Sequence, residues 1–167
     1  MGYFLFVLGY RLFALRQYIK DFLSVVLANL LVATSFTVVI LMDIDLFKQV
    51  NDTHGHKIRD KVLQEFSGRL KESLRQYDIL ARYGGEEFML LLPDTDTETA
   101  LVIAEKLRIT ICQPVFSVDH SLKLDVSASF GVASMSGKTI DWQALVTEAK
   151  TAFYLAKGNE RNQVHCL

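Results

Sequence analysis

The chain of 167 residues is half hydrophobic, 22% charged and holds only two prolines and nine glycines, which excludes a disordered or collagen-like polymer and suits one domain with one core. Eighteen basic against nineteen acidic side chains leave a net charge of -1, so the overall positive field of a general nucleic-acid binder is missing and any anion site must be local. Cys112 and Cys166 are too few for a disulfide framework and lack the paired spacing of a zinc site, which points to a reducing, cytoplasmic setting.

Residues 1–10 are apolar, without the positive region and small-residue cleavage site of a secretory signal; Phe6 stands where N-myristoylation needs Ser or Thr. They form either an exposed apolar tail or a segment packed on a partner. The 21 residues from Phe22 to Met42 carry no charge, long enough at about 1.5 Å per residue to cross a bilayer core of roughly 30 Å. Ser24, Asn29, Thr34, Ser35 and Thr37 interrupt that run, however, and 36–42 have the β-branched density of a buried strand. The expected arrangement is therefore a helix over 11–31, a turn at Thr34-Ser35 and a central strand.

Further along, Ile58, Val62, Leu63, Phe66, Leu70 and Leu74 form an apolar stripe at helical spacing, predicting a core-facing helix over 57–75 with Glu65 and Arg69 paired outside. Residues 79–83 and 88–92 read as a hairpin around Gly84-Gly85, expected as a two-residue turn at positive φ, with Pro93 as its stop. Thr95-Asp96-Thr97-Glu98 has the form of a capping box before a helix that buries Leu101, Ala104, Leu107 and Ile111. Residues 122–133 alternate as a strand, and Trp142, Leu145, Val146, Ala149, Phe153 and Ala156 mark a last helix starting near Thr139. No internal repeat or linker is visible. The order helix, strand, helix, hairpin, helix, strand, helix implies an α+β fold: a mostly antiparallel central sheet flanked by helices.

Two acidic clusters sit at strand ends. Asp43 and Asp45 leave the same face if the strand stays extended, while the adjacent Glu86 and Glu87 must face opposite sides, so that only one joins Asp43 directly. Either pair alone reads as a solvated strand end. Brought together, such carboxylates repel unless a hard cation sits between them, and Mg²⁺ held by one or two carboxylates with substrate phosphates is the natural solution. Gly84-Gly85 is either a simple tight turn or a side-chain-free approach for phosphate oxygens. His54 and His56 are too few to close a metal site, Trp142 belongs to the core, and Phe153 and Tyr154 read as helix packing rather than base-stacking platforms.

Residues 42–56, Met-Asp-Ile-Asp-Leu-Phe-Lys-Gln-Val-Asn-Asp-Thr-His-Gly-His, followed by Arg82-Tyr83-Gly84-Gly85-Glu86-Glu87-Phe88, resemble the GGDEF family of diguanylate cyclases in its GGEEF form. The likeness runs from about Arg11 to Val164, with 126–132 and 152–157 matching further family segments, so that 11–167 read as the GGDEF-like domain. It implies a fold related to the adenylyl-cyclase and polymerase palm, ferredoxin-like in architecture. It also implies condensation of two GTP into cyclic di-GMP with release of two pyrophosphates, by a homodimer in which each domain holds one GTP.

Carried over residue by residue, Asp43, the Ile44 carbonyl and Glu86 hold Mg²⁺ or Mn²⁺, with Glu87 as second catalytic acid. Asn51 and Asp60 read guanine, Gly84 and Gly85 admit the phosphates, and Lys48, Lys157 and Arg161 meet them as cations. Arg75 and Asp78, by themselves an i, i+3 surface pair, resemble the RxxD site at which the product inhibits.

The chain departs from the family at several places. The opening DxLTGLxNR motif is replaced by apolar residues 1–10. Arg59 takes the place of a glycine, which would distort the guanine contact if that backbone needs positive φ. Lys150 replaces an acid, and Glu160 replaces the glycine before Arg161, beside which it could draw the guanidinium away from phosphate. The alternative expectation is thus an impaired domain that binds cyclic di-GMP or GTP and signals through a partner. A membrane-anchored domain spanning 22–42 conflicts with the strand that Asp43 needs. No regulatory domain is legible.

Overall fold

The structure, a computed structural model, describes residues 36–117, 122–136 and 141–167. The helix expected over 11–31, the turn at Thr34-Ser35 and the atypical segment 1–10 lie outside them. Strand β1 (Phe36–Ile44) is buried along its length except at Phe36, which is why apolar side chains fill both its faces. A membrane span over 22–42 is overturned at its end, because 36–42 are strand. Among the described residues no helix is long and apolar enough to cross a membrane.

Helix α1 (Phe47–Glu72) starts ten residues earlier than expected and is broken at Gly55, whose φ of 77° is open to glycine; the expected helix is its second segment. Val62, Leu63, Phe66 and Leu70 are buried as their spacing predicts. The hairpin of β2 (Ile79–Arg82) and β3 (Glu87–Pro93) pairs Arg82 with Phe88. Helix α2 (Thr97–Cys112) is capped one residue later than the capping box implies: Asp96 accepts from Thr99 N–H at 2.7 Å, while the buried Thr95 hydroxyl donates to the Pro93 carbonyl at 2.9 Å.

The strand expected over 122–133 is two. β5 (Lys123–Leu124) pairs with β4 (Phe116–Ser117) in a small ribbon, and β6 (Ala128–Ser136) joins the main sheet after a break at 125–127, where the Ser127 carbonyl accepts the Asp45 N–H at 2.9 Å. Helix α3 (Trp142–Gly158) begins later than Thr139, at an Asp141 cap. A short final strand, β7 (Val164–Cys166), was not legible beforehand; three residues offer no period.

The main sheet has the order β2-β3-β1-β6-β7, antiparallel but for the parallel β6 and β7 pair. Val38, Ile40, Met42 and Ile44 face α1 and α2, whereas Val39 and Leu41 face α3 through Leu145, Val146, Ala149 and Phe153. Trp142 packs at the edge of that second core. Gly131 lets α3 settle onto β6: a Cβ there would collide with the Ala149 carbonyl and the Phe153 backbone. On the other face Arg69 is more than an outside partner of Glu65. Its guanidinium donates to the carbonyls of Thr110, Ile111 and Val115 at 3.2–3.3 Å, and to that of Pro114, and lies 4.0 Å from the Phe116 ring centre, clamping the end of α2.

Candidate active site

Strand parity builds the centre of the site. Asp43 follows Val39 and Leu41 onto the α3 face, and its register partner on β3 is Glu87, so these two carboxylates share one face as direct cross-strand neighbours. Glu86 lies not in the strand but in the turn before it, with its carbonyl accepting from Ile44 N–H at 3.4 Å. The expected opposition of two strand glutamates therefore does not hold, and both acids act on Asp43. The turn also differs from the expected one. Tyr83 and Gly84 N–H groups both donate to the Glu87 carbonyl, at 2.8 and 3.0 Å, closing a loop over Gly84, Gly85 and Glu86, and neither glycine has a left-handed φ. Gly84 instead lets the Glu87 carboxylate lie against the turn, since a Cβ there would displace it.

Lys157, from the last turn of α3, donates to Asp43 Oδ1 at 2.6 Å. Burial raises the Asp43 carboxyl from 3.8 to about 6; the Lys157 bond and charge oppose the rise, and Glu86 and Glu87 add to it. Asp43 is only 4% exposed. A cation already stands at the carboxylate, in the form of an ammonium.

Among the described residues no three His, Cys, Asp or Glu side chains converge as a ready-made metal cage. Magnesium does not ask for one: it takes one or two carboxylates and completes its shell with water and substrate phosphate. A buried carboxylate with two acidic neighbours, hard oxygen donors all, fits such an ion.

Asp45 does not share this face. β1 ends at Ile44, and the Asp45 carboxylate turns to the Ser127 and Ser129 hydroxyls, both at 2.7 Å, and to the Asn162 N–H at 3.0 Å. It is a tie between chain segments, which its spacing from Asp43 concealed.

The remaining sequence-derived residues lie around this centre. Lys48 is exposed in the first turn of α1. Asn51 sits one turn later, its Oδ1 buried and accepting no hydrogen bond. Asp60 lines an open cleft of roughly 540 Å³, with Leu63, Leu80 and Phe88 among its apolar walls and Lys71 and Arg82 among its polar ones. Arg59 is helical and unstrained, so the feared distortion is absent; its effect is electrostatic, because its guanidinium bonds Asp60 Oδ1 at 2.7 Å. Glu160 does occupy a backbone suited to glycine, with φ of 72°.

Arg161 is exposed in the same left-handed turn. Lys150 stands over the Tyr83 ring at 5.2 Å, where it lines a small hollow with Glu87. Phe153 is packed as expected, while Tyr154 is 64% exposed, with its ring centre 5.4 Å from that of Phe153. Away from this centre, Asp78 Oδ2 accepts the Arg75 N–H at 2.8 Å and Oδ1 is buried without a partner.

A sheet that gathers acids at the ends of two neighbouring strands, with a helix-borne lysine over them, defines an α+β domain suited to a metal-bound polyphosphate. Residues 13–163 match the family model described as diguanylate cyclase, GGDEF domain, and the chain belongs to that family. It is 44% identical over 126 residues to the response regulator PleD of Caulobacter vibrioides, a match covering 75% of this chain and 28% of PleD. Among solved structures it resembles the active GGEEF domain of a diguanylate cyclase from Vibrio cholerae, with a TM-score of 0.73 and 30% identity over 79% of this chain and 83% of that one. The GGDEF domain of DgcB from Caulobacter crescentus, in complex with c-di-GMP, gives a TM-score of 0.79 and 25% identity over 90% and 89% of the two chains.

Proposed function

We propose that this chain is a diguanylate cyclase domain, in which two copies, each holding one GTP, condense them into cyclic di-GMP. In each half-reaction a 3′-hydroxyl attacks the α-phosphorus of the other GTP, a P–O bond forms, pyrophosphate departs and the hydroxyl proton is taken up by a base. The observation that carries this is the buried Asp43 beside Glu86 and Glu87, facing Lys157. Asp43, the Ile44 carbonyl and Glu86 are assigned to Mg²⁺ or Mn²⁺, which when bound neutralises triphosphate charge and acidifies the attacking hydroxyl.

The chain's own groups do the rest. Asn51 offers its unpaired Oδ1 and Asp60 its second carboxylate oxygen to the donor edge of guanine. Gly84 and Gly85 leave the turn free of side chains beside the phosphates. Lys48, Lys157 and Arg161 supply positive charge, and Glu87 shares with Glu86 the role of acid and base. The setting is cytoplasmic, in keeping with two free thiols.

A second function is favoured by the unpaired Oδ1 of Asp78: a product site in which Asp78 accepts from guanine and Arg75 stacks on or forks to the dinucleotide. Incubation with GTP and Mg²⁺ across a protein dilution series tests these assignments. The expected result is pyrophosphate and cyclic dinucleotide, lost in Glu86→Ala and Glu87→Ala, with specific activity falling on dilution as the dimer separates. Binding of cyclic di-GMP without any turnover would make the chain a sensor instead.

A further inference from the structure

Asp45 is nearly as buried as Asp43 and takes no part in the chemistry above. Its Oδ2 accepts the backbone N–H of Asn162 at 3.0 Å, and that amide closes an unusual turn. Glu160, Arg161 and Asn162 follow one another in the left-handed region, with φ of 72°, 65° and 46°, and none is glycine. Three such residues in succession persist only where neighbouring contacts hold them, and strain of this kind gathers at functional sites.

The Arg161 N–H itself donates to the Ala156 carbonyl at 3.2 Å, tying the start of the turn to the end of α3, and the contacts at Asn162 tie its far end to the sheet and α2. Asp45 grips the Asn162 N–H while the Ser127 and Ser129 hydroxyls fix the carboxylate from β6 and the segment before it, each at 2.7 Å. Arg108 of α2 adds bonds to the Asn162 carbonyl at 3.3 Å and to its Oδ1 at 2.9 Å. The turn follows α3, whose Lys157 reaches Asp43, and it is tied down two residues beyond Asp43 on the same chain segment.

We infer that Asp45 is a positioning residue for Arg161: by anchoring the strained 160–162 turn to the end of β1, it holds that guanidinium beside the triphosphate. This rests on the phosphate role proposed for Arg161. A loose turn would still carry the same charge, but each binding event would have to order it first. The anchor therefore matters for the phosphates and not for the base.

The test uses 3′-deoxy-GTP, which cannot condense, and guanosine, both titrated with Mg²⁺ present. Asp45→Ala should weaken 3′-deoxy-GTP by about tenfold and leave guanosine within about twofold. Arg161→Ala alone should cost about the same, and adding it to Asp45→Ala should cost less than about twofold more. Asp45→Asn should stay close to the native chain, because its amide oxygen can keep the Asn162 N–H while the Ser129 hydroxyl turns to accept.

Full additivity of the two losses, or Asp45→Asn as impaired as Asp45→Ala, overturns the inference. An Arg161→Ala variant that binds 3′-deoxy-GTP normally instead sinks the phosphate role of Arg161 on which it stands. Should Asp45→Ala not fold, amide exchange in the native chain decides: a protected Asn162 N–H supports the anchor, and one exchanging at the rate of an open peptide overturns it.

Discussion

Replacing Asp43 by asparagine should make the metal-free protein more stable while removing the divalent-ion site proposed for it. With the carboxyl raised from 3.8 to about 6, the fold disfavours the ionised form by roughly 3 kcal/mol, the attraction of Lys157 already included. A carboxyl whose folded value lies above its unfolded value holds its proton more tightly in the fold. Its contribution to stability is complete below pH 3.8 and is lost as the pH rises through about 6. At pH 8 native Asp43 is therefore a charge held at a cost, and asparagine removes that cost. Lys157, with 28% of its side chain exposed, can turn to water.

Thermal melts at pH 8 in chelator should place Asp43→Asn about 1–3 kcal/mol, or roughly 2–12 °C, above the native chain, and the gap should close toward pH 4. Added Mg²⁺ should raise the native melting temperature and leave the variant where it was. A variant less stable than the native chain at pH 8, or a gap of the same size at both pH values, would refute the electrostatic account of this site.

Glu160→Gly should stabilise the chain by about 0.5–1 kcal/mol, read as a higher midpoint in urea, because glycine occupies a φ of 72° without strain. Arg69→Met should lower stability by about 2–4 kcal/mol, since it strips donors from four backbone carbonyls and removes the guanidinium over Phe116; equal midpoints would show the clamp to be idle. Arg59→Ala should change guanine-nucleotide affinity by less than about fivefold in calorimetric titration, because its bond to Asp60 is exposed, and a larger gain would mark Arg59 as a true competitor for the base. Arg75→Ala should abolish inhibition of the proposed cyclase activity by added cyclic di-GMP while leaving its initial rate unchanged; unchanged inhibition would refute the proposed product site.

Much of this was written in local chemistry. The stripe from Val62 to Leu70 follows from a period of 3.6, and the continuous apolar runs of β1 and β3, broken by the glycines of the hairpin, mark strands buried on both faces. The motif around Asp43 and the run from Gly84 to Phe88 carried the family and, with it, the residues proposed for the site.

Other features depended on long-range contacts and had no local sign. The spacing of Asp43 and Asp45 promised a shared face, but β1 stops at Ile44, and only the arrival of Ser127, Ser129 and Asn162 from positions far along the chain fixes where Asp45 points. The same holds for Lys157, whose attachment to Asp43 requires α3 to lie on Gly131. For Arg69 an i, i+4 partner was visible in the sequence and the α2 terminus it clamps was not. Most of the elements, the buried face of the long helix and the family could be read from the chain alone, because periodicity and motifs are local; the break within 122–133 and the short β7 could not. Which charges meet was decided by tertiary structure alone, because a hydrogen bond between residues a hundred apart exists only once the sheet has brought them together.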